Sequence, residues 1–377
     1  MKNYFEYADE LGPLKTIHVH EPSVGLRAIL VVDNVAKGPA IGGVRMAPDV
    51  STEECFRLAR AMTFKNAAAG LPHGGGKVVV YGDPRMPKSD KEHLIRALAN
   101  ALRNTEDYIF APDMGTDEEC MAWVKDEIGR VVALPREIGG IPLDEIGATG
   151  WGLSHVTDVA LEYCDFELNN ARIVVQGFGA VGKNTARFLT NKGAVLVGAA
   201  DSRGTIHNPD GLDVSKLTEI KQSGGSLSDY ADAEKLGRDA VIDIECDIWI
   251  PAARPDVIHQ GNVHRLKTKL LVEGANIPVT HDAERILADK GTLCVPDFIA
   301  NAGGVICAAM EYHGASESAA LQSIEEKLRR NTRLVLEDAA KRNILPRAAS
   351  AELALARVKK AMSFRRYSLF STAPGFV

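Results

Sequence analysis

The sequence predicts an α/β protein of two domains, and three observations carry that prediction. At 377 residues the chain is long enough for two ordinary hydrophobic cores. Short β-branched runs alternate with segments of helical periodicity through most of its length, the pattern of βαβ units and a parallel sheet. Near the middle, Gly177-x-Gly179-x-x-Gly182 stands between a β-branched run and an apolar helical run. That order is a strand, a tight turn and a helix, as in a doubly wound sheet.

The elements follow in order. Residues 16–22 and 26–34 have strand-like content. Residues 51–71 read as a helix opened by a capping box of Ser51 and Glu54 and ending near Gly70. On it Leu58, Met62 and Lys65 share a face at i, i+4, i+7. Lys77 begins the β-branched run 77–82, a second capping box of Ser89 and Glu92 opens the helix 89–104, and the strand 108–113 ends on Asp113. Further strands are expected at 171–176, 194–201, 246–253, 268–276 and 292–297. From about Ser316 the chain turns helical. The expected domains are 1–140 plus about 330–377, a mixed-sheet α/β unit, and 141–329, a doubly wound unit of Rossmann type.

Composition excludes several classes. A net charge of −6 gives no support to a nucleic-acid partner, which calls for a basic face. No apolar run approaches the roughly 20 residues that cross a bilayer. The N-terminus is acidic and lacks an apolar signal core, so a cytoplasmic protein is expected. The six cysteines are scattered, without a Cys-x-x-Cys pair, and read as reduced, packed thiols. His18 and His20 face one way on a strand but have no third ligand in reach, so no metal is expected.

The glycine fingerprint reads as a dinucleotide site. Gly177 permits the turn, Gly179 lets backbone approach a pyrophosphate, and Gly182 allows close helix–strand packing. Phe178, Ala180 and Val181 fill the same turn, whose helix N-terminus offers free N–H groups to the phosphates. Asp201, followed by Ser202, closes the next strand, where a carboxylate grips a ribose hydroxyl and repels a 2′-phosphate; that favours NAD. Arg203 keeps NADP or dual use open. A polar Asp-Ser-Arg-Gly turn is the bland alternative.

Lys65, Lys77 and Asp113 each border a glycine- or alanine-rich stretch. Two cations and a carboxylate are the parts needed to bind and oxidise an α-amino acid. A lysine with an ordinary pKa near 10.4 is a poor base at neutral pH, and burial beside a second cation favours its uncharged form. An uncharged Lys77 beside Lys65 is therefore expected.

In this setting the chain resembles the glutamate/leucine/phenylalanine/valine dehydrogenase superfamily over nearly its whole length. The stretches that carry the resemblance are GPAIGGVRM, AMTFKNAAAGLPHGGGK, APDMGT, GATGWG, QGFGAVG, IPAA, EGAN and DFIANAGGV. The resemblance implies NAD(P)-dependent oxidative deamination of an amino acid to its 2-oxo acid and ammonia. It also implies a substrate and oligomerisation domain beside the dinucleotide domain, and a homo-oligomer, hexamer or octamer. By the same resemblance Lys65 binds the substrate α-carboxylate with backbone N–H groups around Gly42 and Gly43. Lys77 is the catalytic lysine and Asp113 its proton-transfer partner. Thr149, Ala252, Ala253, Asn276 and Asn301 lie along the cofactor.

The glutamate enzymes carry a lysine at the position of Ile41 and a serine at that of Ala308. Without these a buried γ-carboxylate lacks partners, at a cost of roughly several kcal/mol. Ile41, Met62, Val305 and Ala308 would instead line an apolar pocket for a side chain of the Leu, Val, Ile, Met or Phe type. The alternative is a glutamate dehydrogenase in which Arg45 or a lysine of the C-terminal helices replaces the missing cation. A non-catalytic nucleotide-binding regulator is a more remote one.

Overall fold

The computed structural model describes residues 4–364, so the end of the segment expected at 330–377 lies outside the described residues. Two compact units emerge. The first holds the described residues up to Pro142, Val305–Ala320 and those from Ala351 on; the second is Leu143–Gly304 with Leu321–Ser350. Sequence reading expected one return to the first unit, near 330. The chain instead enters it at Val305, leaves after Ala320 and re-enters at Ala351. Among the described residues no helix is long and apolar enough to cross a membrane.

The first unit is built on a five-stranded mixed sheet. Its strands are β1 (Lys15–Glu21), β2 (Leu26–Asn34), β3 (Ala40–Ala47), β4 (Gly74–Tyr81) and β5 (Tyr108–Pro112), in the order β1-β2-β4-β3-β5. Pairs β1/β2 and β2/β4 are antiparallel, whereas β3 runs parallel to both β4 and β5. Alternation sorts the side chains onto two faces. Val44, Met46, Val78 and Val80 pack with residues of α2 (Lys88–Ala101) and α3 (Glu118–Ile128), while Val31 and Val79 pack with Cys55, Phe56 and Ala59 of α1 (Thr52–Ala68).

Helix starts only partly follow expectation. The Ser51 hydroxyl accepts from the Glu54 N–H at 3.1 Å, but the Glu54 carboxylate bonds to Arg45, so half of that box forms. The Ser89–Glu92 box is absent. Pro87 is the N-cap and the helix begins at Lys88, so Ser89 lies already inside it and the Glu92 carboxylate accepts from Arg96.

The second unit holds the helices α4 (Leu143–Ile146), α5 (Ala148–Leu161), α6 (Ala180–Thr190), α7 (Val214–Gln222), α8 (His281–Asp289) and α9 (Asp297–Ala300). Its strands are β6 (Arg172–Gln176), β7 (Val195–Ala200), β8 (Thr205–His207), β9 (Glu234–Leu236), β10 (Ile248–Pro251), β11 (Leu270–Val272) and β12 (Leu293–Val295). The order β12-β11-β10-β6-β7-β8-β9 is parallel up to β7 and antiparallel beyond it. Strands β8 and β9, three residues each, are too short for alternation to announce them.

Three last helices are divided between the units: α10 (Gly303–Tyr312), α11 (Glu317–Arg342) and α12 (Pro346–Met362). In the first unit the Glu311 carboxylate accepts the Leu134 and Ile141 N–H groups, at 3.1 and 2.8 Å, which fastens α10 there. In the second, Trp151 donates to Leu321 O at 3.1 Å and Arg329 pairs with Asp158, which fastens α11 to α5.

Candidate active site

In the first unit the register of three strands assembles a charged cluster. Gly43 precedes Val44, which pairs with Val78, and Gly43 itself lies opposite Ala111. Ile41, Gly43 and Arg45 therefore project from the same face of β3, the face to which Lys77 of β4 belongs. Asp113 follows β5 directly. Lys77, only 5% exposed, places Nζ 2.6 Å from Asp113 Oδ2. Arg45 Nε donates to the same oxygen at 3.0 Å, and its NH1 donates to Glu54 at 2.7 Å.

Glycine at 43 is required by this arrangement. A Cβ there would stand 2.7 Å from Asp113 Cβ and 3.3 Å from Lys77 Nζ. A Cβ on Gly42 would meet Gly76 O at 1.8 Å, so β3 and β4 approach as only glycine permits. Asp113 is steadied from behind: its N–H donates to Thr116 Oγ1, whose hydroxyl donates to Val44 O at 2.7 Å. Helix α1 is held over this face by Asn66, whose Nδ2 donates to Gly74 O at 2.6 Å and Ile41 O at 3.4 Å. Lys65 and Met62 lie half-buried on the same helix. Helix α10 brings half-buried Val305 and buried Ala308 into the unit, with His313 beyond its end touching His73 at 3.1 Å between Nε2 atoms.

The electrostatics of the cluster centre on Asp113. Burial alone would raise the Asp113 carboxyl, but attraction by Lys77 and Arg45 outweighs it and brings the pKa down to about 2. Lys77 is the nearer of the two cations on this carboxylate, at 2.6 Å against 3.0 Å for Arg45. Arg45 was considered in the sequence as a partner for a substrate carboxylate. It is already engaged by two carboxylates of its own.

In the second unit the fingerprint forms the turn between β6 and α6. Gly177 has φ 95°, and a Cβ there would lie 2.8 Å from Ala253, so Ala252 and Ala253 close over it. A Cβ on Gly182 would sit 1.8 Å from Gly177 O, whereas one on Gly179 would meet nothing. Gly179 is the N-cap of α6 and makes no side-chain cap, so it leaves the first-turn N–H groups of Ala180, Val181 and Gly182 for an anion. Phe178, within the turn, is buried. Thr149 occupies the first turn of α5.

Two acceptors here have no partner among the described residues: Gln176 Oε1, just before the turn, and Asn301 Oδ1. Asn301 Nδ2 donates to Gly274 O, Ala275 O and, at 3.0 Å, to Asn276 Oδ1, which fixes the amide with Oδ1 left to receive a donor. Open Gly179, uncapped α6 and these acceptors fit a nicotinamide dinucleotide.

Asp201 does not fit its expected role. Its side chain is 5% exposed and accepts from Lys221 Nζ at 2.9 Å and from the N–H groups of Arg203, Gly204 and Leu227. Against the cost of burial, these donors lower its pKa to about 2. It is an anchor of the turn 201–204, with its oxygens occupied, while Ser202 and Arg203 are exposed at the strand end.

Two family models match the sequence: Glutamate/Leucine/Phenylalanine/Valine dehydrogenase over residues 139–366, and the Glu/Leu/Phe/Val dehydrogenase dimerisation domain over residues 13–130. The chain belongs to the glutamate/leucine/phenylalanine/valine dehydrogenase family and is an NAD(P)-dependent amino acid dehydrogenase. Among its relatives is the glutamate dehydrogenase of Aeropyrum pernix, 37% identical, with 88% of this chain and 85% of that one covered. The catabolic NAD-specific glutamate dehydrogenase of Bacillus subtilis is also 37% identical, over 74% of this chain and 68% of its own. Among solved structures, a hetero-hexameric glutamate dehydrogenase from Thermus thermophilus in a Leu-bound form superposes with a TM-score of 0.83 at 28% identity, covering 94% and 90%. An L-tryptophan dehydrogenase from Nostoc punctiforme shares the fold, with a TM-score of 0.75 at 24% identity over 95% and 99%.

Proposed function

We propose that the chain deaminates an L-amino acid with an apolar side chain, reversibly, to the 2-oxo acid and ammonia. One observation carries the choice of side chain. Ile41, 2% exposed, shares a strand face with Gly43, the residue beside Lys77 Nζ, and Arg45 on that face is saturated by Glu54 and Asp113. A γ-carboxylate placed there would find no free arginine. The names of the relatives support glutamate instead, and on names alone better than an apolar substrate; that is the second reading.

The roles follow from the chemistry. Lys65 and the backbone at Gly42–Gly43 hold the α-carboxylate. A bound dinucleotide would supply the acceptor for the hydride of Cα. The substrate ammonium first gives up a proton through Asp113; loss of hydride then leaves a C=N bond on the substrate, and water adds to its carbon. Lys77 removes a proton from that water once its own has left through Asp113, and Asp113 then passes a proton to the departing nitrogen. One water is consumed, and ammonia and the 2-oxo acid leave. Ile41, Met62, Val305 and Ala308 face the substrate side chain, and Thr149, Ser202, Ala252, Ala253, Asn276 and Asn301 the dinucleotide. The dimerisation-domain match and the hexameric relative support a homo-oligomer, and hexamer or octamer are the forms we propose for it.

A substrate panel tests the reading. Each L-amino acid is offered with NAD and NADP separately, and reduced nicotinamide is followed at 340 nm. Leucine, valine, isoleucine, methionine or phenylalanine should lead. Rapid glutamate oxidation with negligible turnover of these would establish the second reading.

A further inference from the structure

The second unit contains a buried charge cluster that the chemistry above does not use. Arg347, in the first turn of α12, reaches three carboxylates from three separate stretches of chain. Its NH2 donates to both Glu273 oxygens at 2.8 Å, its NH1 to Asp297 Oδ1 at 3.0 Å and its Nε to Glu284 Oε2 at 2.8 Å. Glu273 and Glu284 are fully buried and the Asp297 side chain is 9% exposed. Three carboxyls around one guanidinium leave a surplus of negative charge, and burial pushes the carboxyl of Glu273 up to about 8 and raises that of Glu284. Glu284 Oε1 has no hydrogen-bond partner among the described residues. A cluster this costly is unlike a simple packing solution.

Its outputs run one way. Glu273 directly follows β11 and its Oε2 also accepts the N–H of Asp297, just beyond β12, so two adjacent strand ends are joined. Asp297 Oδ2 accepts the N–H of Ile277 at 2.9 Å, and Ile277 has φ 43°, a conformation a β-branched residue adopts only when held. Asp297 O accepts the N–H of Asn301, whose amide grips Gly274, Ala275 and Asn276. The segment from Glu273 to Ile277 lies past the carboxyl end of a parallel strand, where open α/β sheets bind ligands.

We infer that Arg347 is a positioning residue for the dinucleotide: through Asp297 and Glu273 it sets the conformation of residues 273–277 and so the placement of Asn276 and Asn301. The inference rests on the dinucleotide reading of those two asparagines. The planar fork of arginine is essential to it, because one lysine ammonium cannot hold three carboxylates at fixed angles.

A matched pair of variants separates positioning from bulk stability. Asp297→Asn and Glu284→Gln each remove one carboxylate from the same cluster. Arg347 and Ile277 donate to different oxygens of Asp297, and an amide puts an NH2 in the place of one of them, so in either orientation the path from Arg347 to the loop is cut. At 284 the amide keeps an acceptor for Arg347 Nε and touches no part of the loop. Dissociation constants for NAD and NADP, read by quenching of protein fluorescence, should rise about tenfold or more in Asp297→Asn, the loss of one charge-assisted hydrogen bond. Glu284→Gln should stay within about twofold of the unsubstituted protein, the scale of a change that touches no loop contact. Thermal midpoints should remain alike in the two. In turnover, KM for the dinucleotide should rise in Asp297→Asn with KM for the amino acid unchanged. Equal dinucleotide affinity in the two variants, or parallel losses of affinity and midpoint in both, would overturn the inference. If the unsubstituted protein bound neither dinucleotide, the cofactor reading itself would fall, and this with it.

Discussion

Exchange of Ile41 for lysine puts the side-chain reading to its sharpest test. Residue 41 is 2% exposed and lies two positions before Gly43 on the same face of β3, toward Lys77. A glutamate side chain meeting this isoleucine would leave its carboxylate desolvated and unpaired, a penalty of about 3–5 kcal/mol when one partner of a buried pair is missing. A lysine there supplies the cation, and it also sets a charge against any apolar substrate. The ratio of kcat/KM for glutamate to that for the best apolar amino acid should therefore rise by on the order of 10²–10³, since every 1.4 kcal/mol is tenfold. Ile41→Leu, which preserves volume, should leave the ratio within about threefold, as methylene-scale changes do. Initial rates at saturating dinucleotide measure both. A ratio that did not move in Ile41→Lys, in a variant that still turned over, would place the substrate side chain elsewhere and refute the argument. So would an unsubstituted enzyme already preferring glutamate with Ile41 in place.

Arg45→Met removes a cation 3.0 Å from Asp113 and should raise that carboxyl by about one pKa unit from its depressed value. The acid limb of the kcat/KM profile should move to higher pH by a similar amount; an unmoved limb with a lowered plateau would mean that Arg45 is only a brace. Asp201→Asn should cost about 2–3 kcal/mol in urea unfolding at neutral pH, the loss of hydrogen bonds to a charged acceptor, and leave the NAD to NADP preference unchanged. Because the folded pKa of Asp201 lies near 2, below the ordinary 3.8, its contribution is present above pH 4 and fades as pH falls toward 2. The stability gap between the two proteins should close over that same range, and a switch in cofactor preference would restore the ribose role.

Local chemistry was the legible part of this fold. The strands at β6, β7, β10, β11 and β12 announce themselves because a buried parallel strand is a continuous apolar run. The fingerprint is legible for a related reason: Gly177 and Gly182 answer constraints set by the turn they belong to, at fixed offsets. Strand β3 was quoted as a motif without being read as a strand, since Gly42 and Gly43 interrupt its pattern. Those glycines are what let β3 lie between β4 and β5 with Lys77 and Asp113 brought together. The same two residues hide the strand and make the site.

What stayed hidden was competition for charge. Asp201 stands at a strand end where a carboxylate reads a ribose, but donors that occupy it come from Lys221 and Leu227, 20 and 26 residues on. Glu54 carries a capping-box spacing, but Arg45 claims its carboxylate from another element. The expectation for Lys77 counted a second lysine and left out the carboxylate that stands 2.6 Å from it. In each case sequence spacing identified a group able to do the work and could not count its rivals, because those are gathered by tertiary structure. Strand register supplies part of the missing count. Once β3 is placed beside β4, alternation alone puts Arg45 and Gly43 on the face of Lys77, and an arginine there must find a carboxylate or remain a buried charge. Asp113 and Glu54 satisfy it. An arginine so committed is unavailable to a substrate carboxylate, which is why the choice of side chain turns on Ile41.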